Sequence, residues 1–198
     1  VSGDTFSMIN LPSGELLMAL SDGMGSGTSA FDDSKNVIEL LEQMSEAGFS
    51  QTSAIRLINS LYMSDQEFEN YATLDISLIN LYKGECSFLK NGAVGTYVLN
   101  QGKMYCIEGQ SLPMGVVSDA EPYIGKMSLY PGDYVIMMTD GVADMFSQER
   151  YNLEKFIKQI EIVNPGDMAQ AIVDEAVSRN KGAVSDDMSV IVAGVWEN

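Results

Sequence analysis

The sequence contains no histidine. That absence excludes Ser-His-Asp and Cys-His catalysis, and it argues against zinc, whose sites depend on His and Cys. Cysteine is nearly as scarce. Cys86 and Cys106 show no C-x-x-C spacing and no disulfide framework, a usage that suits a reducing, cytosolic compartment. Positive charge is thin too: 11 Lys and Arg stand against 28 Asp and Glu, a net charge of −17. Phosphate backbones are held by Lys and Arg, so nucleic acid is excluded as a partner. The acidic excess serves solubility first, and it also suits a cation-binding site or a basic partner patch. No apolar run is long enough to span a bilayer and no stretch resembles a signal peptide, so no membrane contact is expected of these residues. The chemistry left must run on carboxylates, hydroxyls, backbone groups and a few basic side chains.

What is present can build a sizeable core. The 198 residues are 45% hydrophobic, enough for one domain over 1–198. The chain opens at Val1, not Met, and in mid-strand, so the sequence predicts a domain truncated at its N-terminus. A regulatory region or membrane anchor would then lie upstream. Thr5–Leu11 alternates apolar and polar residues, Pro12-Ser13-Gly14 makes a turn, and Glu15–Ser21 is a second apolar run, so the pair predicts a hairpin. Asp22–Gly27 is a glycine-rich loop. Helical spacing places Val37, Leu40, Leu41 and Met44 on one face of a helix over Ser29–Met44, with Gly48 as its stop. Ser50 is the expected N-cap of a second helix reaching Tyr62.

Strands are predicted over Thr73–Tyr82 (apolar on both faces, hence covered on both), Cys86–Leu89, Thr96–Leu99, Met104–Ile107, Tyr123–Leu129 and the very apolar Tyr134–Met138. Helices over Leu153–Ile162 and Asp167–Asn180 precede a closing strand, Met188–Trp196. Strands in runs, not in strict alternation with helices, point to the α+β class with mostly antiparallel sheet. A two-sheet antiparallel β-sandwich flanked by helices on both sides would cover such apolar strands.

Three aspartate segments stand at strand–loop junctions. Asp22 follows Leu16–Leu20, Asp140 follows Tyr134–Met138, and Asp186 with Asp187 precedes the closing strand. Asp140, like Asp22, is placed in a loop. Ionised carboxylates gathered at one spot repel unless a cation neutralises them. Hard oxygen ligands without His or Cys select Mg²⁺ or Mn²⁺. Two such ions about 3.5–4 Å apart can clamp a phosphoryl oxygen and activate water. Against this, Asp-Gly is above all a turn dipeptide, and composition and spacing alone leave the choice open.

The segments Ser21-Asp22-Gly23-Met24-Gly25, Thr139-Asp140-Gly141 and Ser185-Asp186-Asp187-Met188-Ser189, in this order, resemble the motifs of the PP2C-type (PPM) phosphatases. Val1-Ser2-Gly3-Asp4-Thr5 and Thr73-Leu74-Asp75 narrow the likeness to the bacterial sporulation and stress-signalling branch, most closely its stage II sporulation members. The resemblance covers essentially the whole chain and implies the αββα sandwich. It implies a serine/threonine phosphoprotein phosphatase that uses two Mn²⁺ or Mg²⁺ ions, with Asp22, Asp140 and Asp186 as the catalytic set. Asp22 would bridge the ions, the Gly23 carbonyl would complete one site, and Asp140 and Asp186 would hold the other. Asp4 would act through water. Asp144 falls where some members help hold a loosely bound extra metal, and Asp187 stands where Asn is frequent. The implied substrate is a phosphorylated regulatory protein of the anti-anti-sigma-factor type in sporulation signalling. The implied setting is a cytoplasmic domain whose parent is membrane-anchored upstream, and a homodimer is compatible with it.

The sequence departs from the family in three places. Many eukaryotic relatives carry, two residues after the bridging aspartate, a His that can act as general acid. Met24 stands there, so the leaving group would draw its proton from metal-bound water or its own surroundings. The phosphate-binding arginine of some relatives and the family's opening strand would both precede Val1. Two rival functions are weighed. The glycines after Asp22 look like the nucleotide box of an anti-sigma-factor ATP-binding kinase, but no Asn-bearing helix precedes them and the later aspartate segments would be unexplained. A Walker A loop fails for want of Gly-Lys after Gly27. A catalytically inactive binding module is the other rival, opposed by the intact aspartate set. Lys90, Lys103 and Lys126 are scattered and predict no docking patch.

Overall fold

The computed structural model describes residues 2–25, 27–64, 71–119, 121–146, 151–161, 163–180 and 186–197, with 151 and 152 described by backbone only. The chain divides into two compact units, Val1–Ala93 with Gly109–Ser128, and Val94–Glu108 with Leu129–Asn198.

The first unit is a five-stranded antiparallel sheet with two helices. Its strands are β1 (Asp4–Asn10), β2 (Glu15–Asp22), β3 (Leu74–Asn80), β4 (Glu85–Asn91) and, later in the chain, β7 (Tyr123–Ser128), in the order β1-β2-β3-β4-β7. The predicted hairpin forms β1 and β2, with Gly14 at φ 81° in its turn. Helices α1 (Thr28–Glu46) and α2 (Gln51–Ser64) supply one side of the core. Val37, Ile38 and Leu41 of α1 and Ile55 and Ile58 of α2 join Leu17 and Ala19 of β2 and Leu74 and Ile76 of β3 in one buried cluster. Each such side chain contributes roughly 1.5–3 kcal/mol by leaving water.

The helix ends follow the sequence signals. Gly48 takes φ 86° just past the α1 C-cap, and Phe49 N donates to Met44 O, a Schellman stop. Ser50 Oγ accepts from Ser53 N at 3.2 Å and caps α2. Residues 74–79 of β3 are buried on both faces, as its apolar alternation predicts.

The second unit carries the sheet β6-β5-β8-β9, built from β5 (Thr96–Asn100), β6 (Lys103–Ile107), β8 (Tyr134–Met138) and β9 (Val190–Gly194). All its pairings are antiparallel. Three helices accompany it, α3 (Asp140–Phe146), α4 (Tyr151–Gln159) and α5 (Pro165–Arg179). Ile136 and Met138 of β8, Val192 of β9, Val142 and Phe146 of α3, Leu153 and Ile157 of α4, and Met168 and Ile172 of α5 form its core. Asn164 Oδ1 accepts from Gly166 N and Asp167 N, so α5 begins at Pro165, two residues earlier than predicted.

Two antiparallel sheets, each with its own helices, place the chain in the predicted α+β class. Four local expectations are corrected. Asp22 is the last residue of β2, not the first of a loop, because the ladder with β1 runs on to pair it with Asp4. Asp140 opens helix α3 in place of a loop, since Val142 N and Ala143 N both turn back to Thr139 O. The closing strand is the shorter Val190–Gly194, where β8 provides its register. Helix α4 also stops at Gln159, short of the predicted Ile162, with Glu161 at φ 29° beyond it. Ile162 itself lies outside the described residues, as do Val1 and Ser185 of the motifs and Ser26 of the expected glycine-rich loop.

Candidate metal centre

Within the first unit, β1 and β2 bring Asp4 and Asp22 directly opposite each other. Gly23 N donates to Gly3 O at 3.2 Å, which makes Asp4 and Asp22 a non-hydrogen-bonded pair, the kind whose side chains approach most closely. Two like charges so placed destabilise a sheet unless something offsets them. Both residues are partly exposed.

Gly23 follows Asp22 for a steric reason. A Cβ built on it would lie 1.9 Å from the carbonyl oxygen of Ala30 in the first turn of α1. Only glycine lets the strand end run that close to the helix. Gly23 also faces Ala72 in an isolated antiparallel bridge.

The tether on Asp22 comes from the segment before β3. Thr73 N donates to Asp22 O at 2.8 Å, Asp22 N donates to Thr73 Oγ1 at 3.0 Å, and Ser21 Oγ donates to Thr73 O at 2.7 Å. In the sequence Thr73 stands out only as part of a motif, and nothing there points to this tether. No spacing could reveal a contact across 51 residues.

Within the second unit, Asp140, Asp144, Asp186 and Asp187 share one neighbourhood. Asp140 caps the end of β8 as the first residue of α3, and Asp144 lies one turn on. A Cβ on Gly141 would stand 2.2 Å from Asp187 O, so glycine is required for the 186–187 segment to lie against α3. Thr139, almost fully buried, holds that segment: its Oγ1 accepts from Ser189 N at 3.0 Å and makes a longer contact to Asp187 O, while Thr139 N donates to Ser189 O. Asp187 N donates to Asp186 Oδ1 at 2.9 Å. The Asp140 carboxyl is pushed above the usual carboxylate range, first by burial and then by the charges of Asp186 and Asp144; a hydrogen bond from the Gly141 amide works the other way. Arg179 closes the helix from behind, its guanidinium 4.5 Å from the Phe146 ring centre and hydrogen-bonded to Met145 O.

Other chemistry finds no support nearby. Cys86 is buried, and burial followed by the Asp75 charge pushes its thiol far upward, away from nucleophilic use. Lys90 is not a surface lysine: it is fully buried against Asp75, its cross-strand partner, at 2.7 Å. Met24 is exposed and has no proton to give.

The donor set suits a hard divalent cation. Every side-chain candidate is a carboxylate, and the charges raising Asp140 are ones a cation would neutralise. Among the described residues no three acidic, cysteine or histidine side chains stand close enough to hold an ion as they are.

A family model described as stage II sporulation protein E (SpoIIE) matches residues 12–196. The chain belongs to the stage II sporulation protein E family. Stage II sporulation protein E of Priestia megaterium is 33% identical over 100% of this chain, and the chain spans 34% of that relative's length. A solved structure of the PP2C phosphatase domain and a fragment of the regulatory domain of SpoIIE from Bacillus subtilis aligns with TM-score 0.90 and 30% identity, covering 100% of this chain and 58% of that one. The fold expected from the motifs is thus the one this chain shares with the PP2C phosphatase domain of that SpoIIE structure. A structure of RsbX in complex with magnesium shares the fold at TM-score 0.73 and 21% identity, over 97% of this chain and 86% of that one. Among the described residues no helix is long and apolar enough to cross a membrane.

Proposed function

We propose that this SpoIIE-family chain hydrolyses phosphoserine or phosphothreonine on a small regulatory protein of the anti-anti-sigma type, with Mn²⁺ or Mg²⁺ as cofactor. The observation that carries the reading is the pair of carboxylate groupings, each locked at a strand end by a glycine and a threonine, in a chain of this family. The magnesium bound by the fold relative supports a hard divalent ion.

Asp22 and the Gly23 carbonyl would hold one ion with Asp4 acting through water. Asp140 and Asp186 would hold the second, with Asp144 and Asp187 at their flank. When bound, two such ions polarise the phosphoryl oxygens and supply hydroxide near neutral pH. The chain's own residues do the positioning. Thr73 fixes the Asp22 backbone, Thr139 fixes the 186–189 segment, and Gly141 lets that segment close on α3. Attack by water at phosphorus breaks the P–O bond to the serine or threonine oxygen, giving inorganic phosphate and the free hydroxyl. That oxygen must gain a proton, which neither Met24 nor any histidine of this chain supplies.

The test is phosphate release from a phosphoserine-bearing anti-anti-sigma protein before chelation, after chelation and after Mn²⁺ is restored. Loss and recovery of release support the reading. Release that persists in chelator removes the metal from it, and ATP binding without release would favour the kinase instead. We further propose that the chain is the cytoplasmic part of a longer, membrane-anchored protein. Recovery of the full-length protein in the soluble fraction would contradict that placement.

A further inference from the structure

The rung that pairs Asp22 of β2 with Thr73, in the segment before β3, is rewired. In a regular antiparallel hydrogen-bonded pair the two residues exchange both N–H···O=C bonds. Here Thr73 N donates to Asp22 O at 2.8 Å, as the rule requires. The reciprocal bond is different: Asp22 N donates to the Thr73 side-chain Oγ1 at 3.0 Å, while the Thr73 carbonyl accepts Ser21 Oγ at 2.7 Å. Two hydroxyls have taken over one backbone bond, while the pairing runs on through Gly23–Ala72 and from Met24 N to Tyr71 O.

The neighbours hold this arrangement from both sides. Ser21 is fully buried, so its hydroxyl needs an acceptor and finds it in Thr73 O. Gly23 N is directed to Gly3 O, and Met24 N to Tyr71 O. The backbone on each side of Asp22 is therefore fixed, and the Thr73 hydroxyl supplies the remaining contact to its amide.

We propose that Thr73, through its hydroxyl, is a positioning residue for Asp22: it sets the backbone at the strand end so that the Asp22 carboxylate is presented to a divalent cation. The inference rests on the proposed function, since it treats Asp22 as a ligand. Groups that orient metal ligands from the second layer typically cost 10–100-fold in metal affinity when removed.

The test uses the purified chain and Mn²⁺ alone. Thr73→Val removes the hydroxyl at nearly constant shape, Thr73→Ser keeps it, and Ser21→Ala frees the Thr73 carbonyl to form the regular rung. Mn²⁺ affinity is measured by calorimetric titration, and exchange of the Asp22 amide hydrogen is followed in the metal-free protein by NMR. Thr73→Val is expected to weaken Mn²⁺ binding by about tenfold or more and to change Asp22 amide exchange. Thr73→Ser should match the parent on both, and Ser21→Ala should weaken binding in the same direction. Should Thr73→Val not fold, the Ser21→Ala and Thr73→Ser pair carries the test. Unchanged affinity in Thr73→Val or Ser21→Ala, beside a clear loss in Asp22→Ala, overturns the positioning role alone. Unchanged affinity in Asp22→Ala as well overturns both this inference and the metal-ligand reading beneath it.

Discussion

Asp140 ionises against its own surroundings: burial disfavours the charge, and Asp186 and Asp144 repel it. Its folded-state pKa lies above the unfolded value, so ionising it opposes folding. The metal-free chain should therefore gain stability as pH falls through that raised range and lose it as pH rises. Asp140→Asn removes the opposition, and near neutral pH it should stabilise the metal-free chain by up to about 1 kcal/mol, a small figure because the site is half open to water. The same substitution should abolish the stabilisation that Mn²⁺ gives the parent. Thermal unfolding with and without Mn²⁺ reads both effects, and a destabilised metal-free variant would show that the repulsion is not real. Lys90 poses the opposite case. Its ammonium is buried on Asp75, so Lys90→Ala leaves a carboxylate in the core without its cation and should cost about 3–5 kcal/mol. Replacing both partners by apolar residues of similar volume should cost far less, as urea unfolding would show. Nothing in the sequence hints at this pair, because a lysine in a strand is ordinarily exposed and only the β3–β4 register brings it to Asp75.

At the scale of elements, the strand ends matter most. Gly141 admits the 186–187 segment against α3, and a methyl there would meet Asp187 O at 2.2 Å. Gly141→Ala should displace that segment, cost about 1–3 kcal/mol as overpacking does, and weaken Mn²⁺ binding. Retained affinity with full stability would mean the segment is not held where the structure puts it. The hairpin, the α1 and α2 helices and the apolar strands were legible in the sequence because period and punctuation agree there: Gly14 and Gly48 sit at positive φ where a turn and a stop were expected. Helix α3 was not. Its seven residues, Asp140–Phe146, are too few for a helical period to show, and they open on a dipeptide that usually marks a turn. The glycine proved to be needed for close packing, not for a left-handed turn.

At the scale of the whole molecule, the two units each carry a complete apolar core and one group of carboxylates. The aspartates themselves were legible because their residue type, order and flanking glycines form the motif. The residues that hold them were not, because the bonds from Thr73 to Asp22 and from Thr139 to Ser189 join segments about fifty residues apart. The central claim is that both groups serve one metal-dependent hydrolysis. Its most direct test is phosphate release from a phosphoserine protein at saturating Mn²⁺, compared among the parent chain, Asp22→Ala in the first unit and Asp140→Ala in the second. The account predicts Mn²⁺-dependent release by the parent and a loss of at least about 10²-fold in each variant, the scale of removing a major source of electrostatic stabilisation. Release at the parent rate in either variant would contradict it.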